Sequence, residues 1–178
     1  MAEIIKCAVF LAVLGSMSFF IGRLIPRRWF RPGAFPYRSF EFEKNGRIYE
    51  KIGIKKWKDK LPDMSRILPA LIPAKHVQNN FDGNAAELML KETCTAEFIH
   101  AAIAVLGILC IPIAGVTGTV IWLLWAAGNV PFILVQRYNR PRLARLCRVR
   151  ERVYNRASGK GESMNEDPDF ELQYRGRT

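Results

Sequence analysis

The stretch Asn129–Leu143, NVPFILVQRYNRPRL, decides the fold, because a long apolar run breaks off there into Gln-Arg-Tyr-Asn-Arg-Pro-Arg. The apolar run that leads into it, Gly115–Val135, has the roughly 17–25 residues that a membrane-spanning helix needs. The polar and cationic side chains from Gln136 to Arg142 are therefore expected at a membrane surface.

Two further blocks are almost wholly apolar, Ile4–Ile25 and Ala96–Ile113. A turn around Pro112, Ala114 and Gly115 is expected between the second block and the third. The pattern predicts a mainly α, small integral membrane protein with about three transmembrane helices, over residues 4–25, 96–113 and 115–135, and with amphipathic segments at the interface.

The first block has an alternative interpretation as a signal peptide, which would be removed. No small-residue cleavage signal follows it, and the sequence continues instead as Arg-Leu-Ile-Pro-Arg-Arg from Arg23. A retained anchor is the favoured interpretation. The length of 178 residues then predicts one membrane-embedded domain over residues 1–156. The polar residues 157–178 are predicted to form a disordered cytoplasmic tail.

The basic residues predict the orientation of these helices. Of 27 Lys and Arg, only Lys6 precedes the first helix, fifteen lie from Arg23 to Lys91, eleven lie from Arg137 onward, and none lies in residues 112–119. Three crossings place both basic segments on one side. We therefore expect a multi-pass plasma-membrane protein with its N-terminus outside and its active face in the cytoplasm.

The net charge of +11 also fits nucleic-acid binding. Membrane orientation and attraction to anionic headgroups account for it more simply, so no nucleic-acid partner is expected. The four cysteines are scattered and have no metal-ligand spacing, and structural disulfides are not expected.

A cluster of candidate catalytic residues lies where the second span begins, with Glu92, Glu97 and His100. Glu97 and His100 are three residues apart and share one face of a helix. A histidine oriented by a carboxylate is a minimal general base, and ionisable groups inside a membrane are usually functional. The alternative is structural, with an interhelical hydrogen bond from His100 and a Glu97 that snorkels. The Glu-x-x-His spacing also occurs in di-iron sites, but the other histidine, His76, has no such glutamate, so neither a metal nor a tightly bound cofactor is expected.

A second cluster follows the third span. Its guanidinium and amide groups suit a phosphate, a diphosphate or the negative charge of an acyl-transfer transition state. Its members are Gln136, Arg137, Asn139, Arg140 and Arg142. Asn129, about two turns earlier, is placed to hydrogen-bond His100 on the neighbouring helix. The alternative is that these arginines are ordinary stop-transfer charges.

A third cluster, the stretch KKWKDKLPD from Lys55 to Asp63, places Trp57, Lys58 and Asp63 as candidates for shaping a headgroup pocket. Its alternative interpretation is a solvated basic face with one interfacial tryptophan.

Taken together, these blocks resemble the glycosyl-4,4'-diaponeurosporenoate acyltransferase family of the staphyloxanthin-type carotenoid pathway of Gram-positive bacteria. The matching residues are Ser39–Lys44 with Gly46, the Lys56-Trp57-Lys58 block, Glu92-Thr93, Ala96-Glu97 with His100, Asn129-Val130-Pro131, and Val135–Leu143. The resemblance covers most of residues 20–150. It implies transfer of a fatty acyl group to a sugar hydroxyl, classically the primary 6-hydroxyl, of a glycosylated lipid.

The leading hypothesis is thus a membrane O-acyltransferase in which His100 removes the hydroxyl proton and Glu97 or Glu92 orients it. The expected donor is acyl-CoA or an acyl-carrier protein, with Arg137, Asn139 and Arg140 on its phosphates or the oxyanion. The expected partners are membrane lipids, a lipid-linked sugar and, because three helices enclose little, a second copy of the chain. Two alternatives remain open, another small membrane transferase or reductase acting on an isoprenoid or steroid-like lipid, and a non-enzymatic lipid-binding accessory subunit.

Overall fold

The computed structural model describes residues 1–61 and 83–157. Within these ranges the chain is mainly helical and has no β-strand, which confirms the mainly α part of the predicted fold class, while the prediction of three membrane spans stays a prediction. The helices are α1 (Ala2–Leu24), α2 (Arg47–Lys51), α3 (Ile54–Trp57), α4 (Gly83–Leu106) and α5 (Cys110–Ala157), and short 3₁₀ turns cover Arg27–Trp29, Glu41–Gly46, Lys58–Lys60 and Gly107–Leu109. The predicted disorder of the tail and the candidate residue Asp63 fall outside the described residues.

Two helical stretches are long and apolar enough to cross a membrane, Ala2–Leu24 and Glu87–Val153. The first ends where Ile25 turns to extended backbone, with φ −64° and ψ 123°, because a residue before proline avoids the helical region. The second stretch contains both of the other apolar blocks. It is not straight, since it includes a sharp turn.

That turn lies at Ala114 and Gly115, where the sequence predicted it. Ala114 has φ −136° and ψ 15°, and Gly115 has φ 55° and ψ −126°, in the left-handed half of the map that glycine tolerates. A Cβ atom at Gly118 would overlap the carbonyl of Cys110, so a glycine is also needed where the chain returns.

The segments on either side of the turn pack antiparallel. Trp122 Nε1 donates to the Ala104 carbonyl oxygen and Trp125 Nε1 to the Ile103 carbonyl oxygen, both at 2.9 Å. A Cβ atom at Gly107 would lie 2.7 Å from Cδ1 of Trp125, so the absence of a side chain there admits the indole. The result is a helical hairpin.

The chain divides into two compact units. We call Met1–Pro32 with Lys91–Arg137 the apolar unit, and Gly33–Leu90 with Tyr138–Thr178 the basic unit.

In the apolar unit, α1 packs on the hairpin through its smaller residues. Buried Cys7 and Leu11 contact Cys110 near the turn, and Gly22 faces Ile99 at the other end, where an added Cβ would lie 3.4 Å from the isoleucine side chain. Small residues allow such close approach between helices in lipid. The first residues of α1 and the hairpin turn are therefore at the same end of this unit.

In the basic unit, buried Glu43 organises an irregular loop. Its carboxylate accepts hydrogen bonds from the Phe40 N–H, at 2.7 Å, and from the Tyr49 hydroxyl. Lys44, Asn45 and Gly46 then follow one another with positive φ, of 47°, 54° and 86°, before α2 begins at Arg47. Asn45 and Gly46 therefore lie in a tight turn that precedes α2.

Candidate active site

His100 lies in the apolar unit, on the first arm of the hairpin, and its imidazole is fixed by the second arm. Nδ1 is 2.9 Å from Oδ1 of Asn129, and the ring stacks on Phe132 with a centroid separation of 4.6 Å and an interplanar angle of 9°. Asn129 is 6% exposed. The predicted hydrogen bond between Asn129 and His100 is thus present.

The amide of Asn129 determines which imidazole nitrogen carries the proton. Its Nδ2 donates to the Trp125 carbonyl oxygen at 2.9 Å, so its Oδ1 is the atom that faces His100. An oxygen acceptor there requires Nδ1–H on the histidine. Within residues 1–61 and 83–157, no side chain hydrogen-bonds to Nε2, which is an acceptor in the neutral imidazole with Nδ1–H.

Glu97 does not orient His100 as the sequence suggested. Its Oε1 accepts a hydrogen bond from Nη1 of Arg137 at 2.7 Å, and the two side chains are only 10% and 11% exposed. A guanidinium on the opposite arm offers a buried carboxylate a far stronger partner than a neutral imidazole does. The side chain that hydrogen-bonds to the His100 imidazole is therefore Asn129 and not Glu97.

Two polar side chains near this histidine differ in their partners. Glu92, on α4, is half-buried and is engaged in an interaction of its own. Gln136 is half-buried and makes no side-chain hydrogen bond to any described residue. Gln136 lies four residues after Phe132 and seven after Asn129, on the helix face that carries both.

The remaining arginines of the second cluster lie in the basic unit. Arg140 is 1% exposed, donates to the Tyr37 carbonyl oxygen at 2.6 Å, and places its guanidinium 5.5 Å from the centre of the Tyr37 ring. Arg142 is more accessible and pairs with Glu50 at 2.5 Å. Asn139, beside them, is half-buried and has no hydrogen-bonded partner among the described side chains.

The described residues of the third cluster, Trp57 and Lys58, make only short-range side-chain contacts. Trp57 Nε1 donates to the Ile52 carbonyl oxygen at 3.2 Å, and Lys58 pairs with its neighbour Asp59 at 2.9 Å. Both contacts are local to the α2–α3 region, as expected for a solvated basic segment. Across the described ranges, no group of three or more His, Cys, Asp or Glu side chains could hold a metal ion.

The sequence interpretation missed several residues of these clusters. Phe132 lies in an apolar run, where nothing in its residue type marks it as a contact of His100. Its position three residues after Asn129, on the same helix face, was the only sequence signal for that contact. Tyr37, Glu43 and Tyr49 form contacts across an irregular loop, for which periodicity gives no signal. Glu50 and Lys55 were visible as charges five residues apart, but only the fold shows that Glu50 pairs with both Lys55 and Arg142.

The chain is mainly helical, and its two long apolar stretches have the length and composition that could cross a membrane. A family model described as glycosyl-4,4'-diaponeurosporenoate acyltransferase matches residues 26–149. The chain belongs to this family, and it is an acyltransferase.

Curated relatives carry the same name. The protein of Staphylococcus aureus strain N315 is 34% identical over 134 residues, which is 74% of this chain and 80% of that protein. The protein of strain MRSA252 is 36% identical over 135 residues, with the same coverage. No solved structure matches the chain.

Proposed function

We propose that the chain esterifies a sugar hydroxyl of a glycosylated carotenoid, or of another glycolipid, with a fatty acyl group. The acceptor class follows the name of the relatives, glycosyl-4,4'-diaponeurosporenoate acyltransferase. The observation that carries the mechanism is the hydrogen bond between Asn129 and His100, because it leaves Nε2 unprotonated and open.

His100 acts as the general base in this proposal. As the sugar oxygen attacks the carbonyl carbon of the donor, its proton moves to Nε2, and Asn129 Oδ1 stays bonded to Nδ1–H. A carbon–oxygen bond forms, the bond to the donor's leaving group breaks, and the leaving group takes the proton back from the imidazolium. Positioned bases of this kind typically contribute 10²–10⁴-fold to rate.

The donor is an activated acyl group, and we favour a thioester of coenzyme A or of a carrier protein, whose thiolate is a good leaving group. The free amide of Gln136 is the group we assign to the substrate, as a hydrogen-bond donor to the acyl oxygen or the sugar. Glu97 and Arg137 satisfy one another, so we assign that pair to holding the two arms of the hairpin together.

We further propose that α1 and both arms of the hairpin cross the plasma membrane, with the N-terminus outside. The antiparallel packing of three apolar segments supports this topology, as does the absence of Lys and Arg from residues 112–119. His100, about one turn inside the second span, then faces the cytoplasmic side, where acyl thioesters are made.

The test uses the purified full chain in lipid nanodiscs with radiolabelled acyl-CoA and a glycosylated carotenoid acceptor. We expect an alkali-labile acyl ester on the sugar, and a loss of at least 100-fold in His100→Ala. Normal transfer by His100→Ala, inserted and folded like the wild type, would refute the mechanism. Transfer from a glycerophospholipid but not from acyl-CoA would refute the donor alone.

A further inference from the structure

Glu50, in the basic unit, holds two cations at an accessible position. Its Oε1 lies 2.5 Å from Nη2 of Arg142, and its Oε2 lies 3.0 Å from Nζ of Lys55. The three side chains are 32%, 46% and 57% exposed, respectively, so a solute can reach them. The pKa of Glu50 lies below its ordinary value, chiefly because Lys55 donates to it, so the carboxylate is charged at neutral pH.

The guanidinium of Arg142 is held in place without Glu50. It lies 4.2 Å from the centre of the Tyr138 ring, one helical turn earlier, and Nη1 donates to the Tyr138 hydroxyl. Tyr138 is 1% exposed and therefore fixed by the core of the unit. Arg47, three residues before Glu50, is exposed and adds a third positive charge to this cluster.

We propose that Arg142 and Lys55 form a binding site for a phosphate group, and that Glu50 stands in for the phosphate when no ligand is bound. Three cations surround one carboxylate, which leaves an excess of two positive charges. A phosphate or diphosphate offers more oxygens and more charge than a carboxylate, and a preorganised guanidinium suits it. Arg137 and Arg140 are engaged with Glu97 and Tyr37, so they are not the arginines to which we assign this role.

The phosphate could belong to a soluble molecule, such as the donor proposed above, or to a lipid headgroup. The chemistry of the site is the same in both cases. The phosphate site can be tested separately from acyl transfer, because equilibrium binding requires no turnover.

The experiment titrates inorganic pyrophosphate into the full chain in phosphatidylcholine nanodiscs, at constant ionic strength. We expect Arg142→Gln to weaken binding by about tenfold, as for a lost charge-assisted pair. Glu50→Gln should tighten binding several-fold, because it removes the competing carboxylate. The matched controls are Arg145→Gln and Lys51→Gln, exposed cations with no ion pair among the described residues, and each should change binding by less than about twofold.

The sign of the Glu50→Gln effect separates a binding site from a structural ion pair. Unchanged or weaker pyrophosphate binding in Glu50→Gln would overturn the proposal, and so would equal losses in Arg142→Gln and Arg145→Gln. A second titration in phosphatidylglycerol nanodiscs identifies the source. If phosphatidylglycerol competes with pyrophosphate, and this competition disappears in Arg142→Gln, the site binds a lipid headgroup. If phosphatidylglycerol does not compete, the site binds a soluble phosphate.

Discussion

Asn129 Oδ1 lies 2.9 Å from His100 Nδ1, and the same asparagine donates from Nδ2 to the Trp125 carbonyl oxygen on its own helix. The Asn129 amide thus accepts a hydrogen bond through Oδ1 and donates one through Nδ2. Because a backbone carbonyl can only accept, the Trp125 carbonyl oxygen fixes the orientation of the amide. This arrangement assigns the imidazole tautomer without any carboxylate.

Replacing Asn129 should impair catalysis without removing the base. Asn129→Leu loses the acceptor for Nδ1–H, and we expect kcat to fall by about 10- to 100-fold with little change in KM, as for other groups that orient a functional histidine. Asn129→Asp keeps an acceptor at Nδ1 and should retain more activity than the leucine variant. Equal losses of kcat in both variants would show that Asn129 acts only in packing.

The pair of Glu97 and Arg137 should show the energetics of a buried ion pair. Glu97→Gln alone removes the charged partner that lies 2.7 Å from the buried Arg137 guanidinium and should lower the free energy of unfolding by about 3–5 kcal/mol. The double variant with Arg137→Gln should recover part of that loss, which denaturation in mixed micelles would measure. Lys6→Gln, which breaks the exposed pair of Lys6 with Glu3, is the control and should have little effect.

Gly107 should not tolerate even a methyl group. An added Cβ would lie 2.7 Å from Cδ1 of Trp125 and 3.2 Å from Cδ1 of Trp122, so Gly107→Ala must displace an indole that is hydrogen-bonded to α4. We expect a loss of about 1–3 kcal/mol and a shift in tryptophan fluorescence. Gly128→Ala, with open space around the new methyl, is the matched control and should be neutral or slightly stabilising. An equal effect at both positions would contradict the packing described here.

Gly46 and Gly53 should differ although both have a positive φ. Their angles are +86° and +70°, so alanine strains the backbone at either position by about 1–2 kcal/mol. At Gly46 the new methyl would also lie 3.2 Å from the Tyr138 carbonyl oxygen, whereas nothing lies within 4 Å at Gly53. Thermal unfolding should therefore show the larger loss for Gly46→Ala, and a larger loss for Gly53→Ala would contradict this geometry.

The sequence was sufficient to predict the long apolar helices and the turn at Ala114 and Gly115. Apolar length fixed α1 and both arms, and Ala114 with Gly115 interrupted the run where the structure turns. The hydrogen bond between Asn129 and His100 was also predictable, because two polar groups at similar depth in an apolar hairpin have few other partners. In the structure, α5 continues as a helix through Pro141 to Ala157.

The partners of the charged residues were not predictable from spacing. The i, i+3 relation places Glu97 on the same face as His100, but the rotation of the opposite arm decides that Arg137 meets the carboxylate. The same limit applies to Arg140 and Arg142, which are two residues apart in sequence yet differ in burial. Arg140 is buried and donates to the Tyr37 carbonyl oxygen, whereas Arg142 remains accessible.

The protonation state of His100 tests the central claim most directly. The chain has two histidines, so ¹⁵N-histidine labelling of the His76→Gln variant leaves a single imidazole to observe. We predict, at neutral pH in nanodiscs, a protonated Nδ1 and an unprotonated Nε2, with this preference lost in Asn129→Leu. A proton on Nε2 in the chain with Asn129 intact would contradict the account, because the nitrogen that must accept the sugar proton would already carry one.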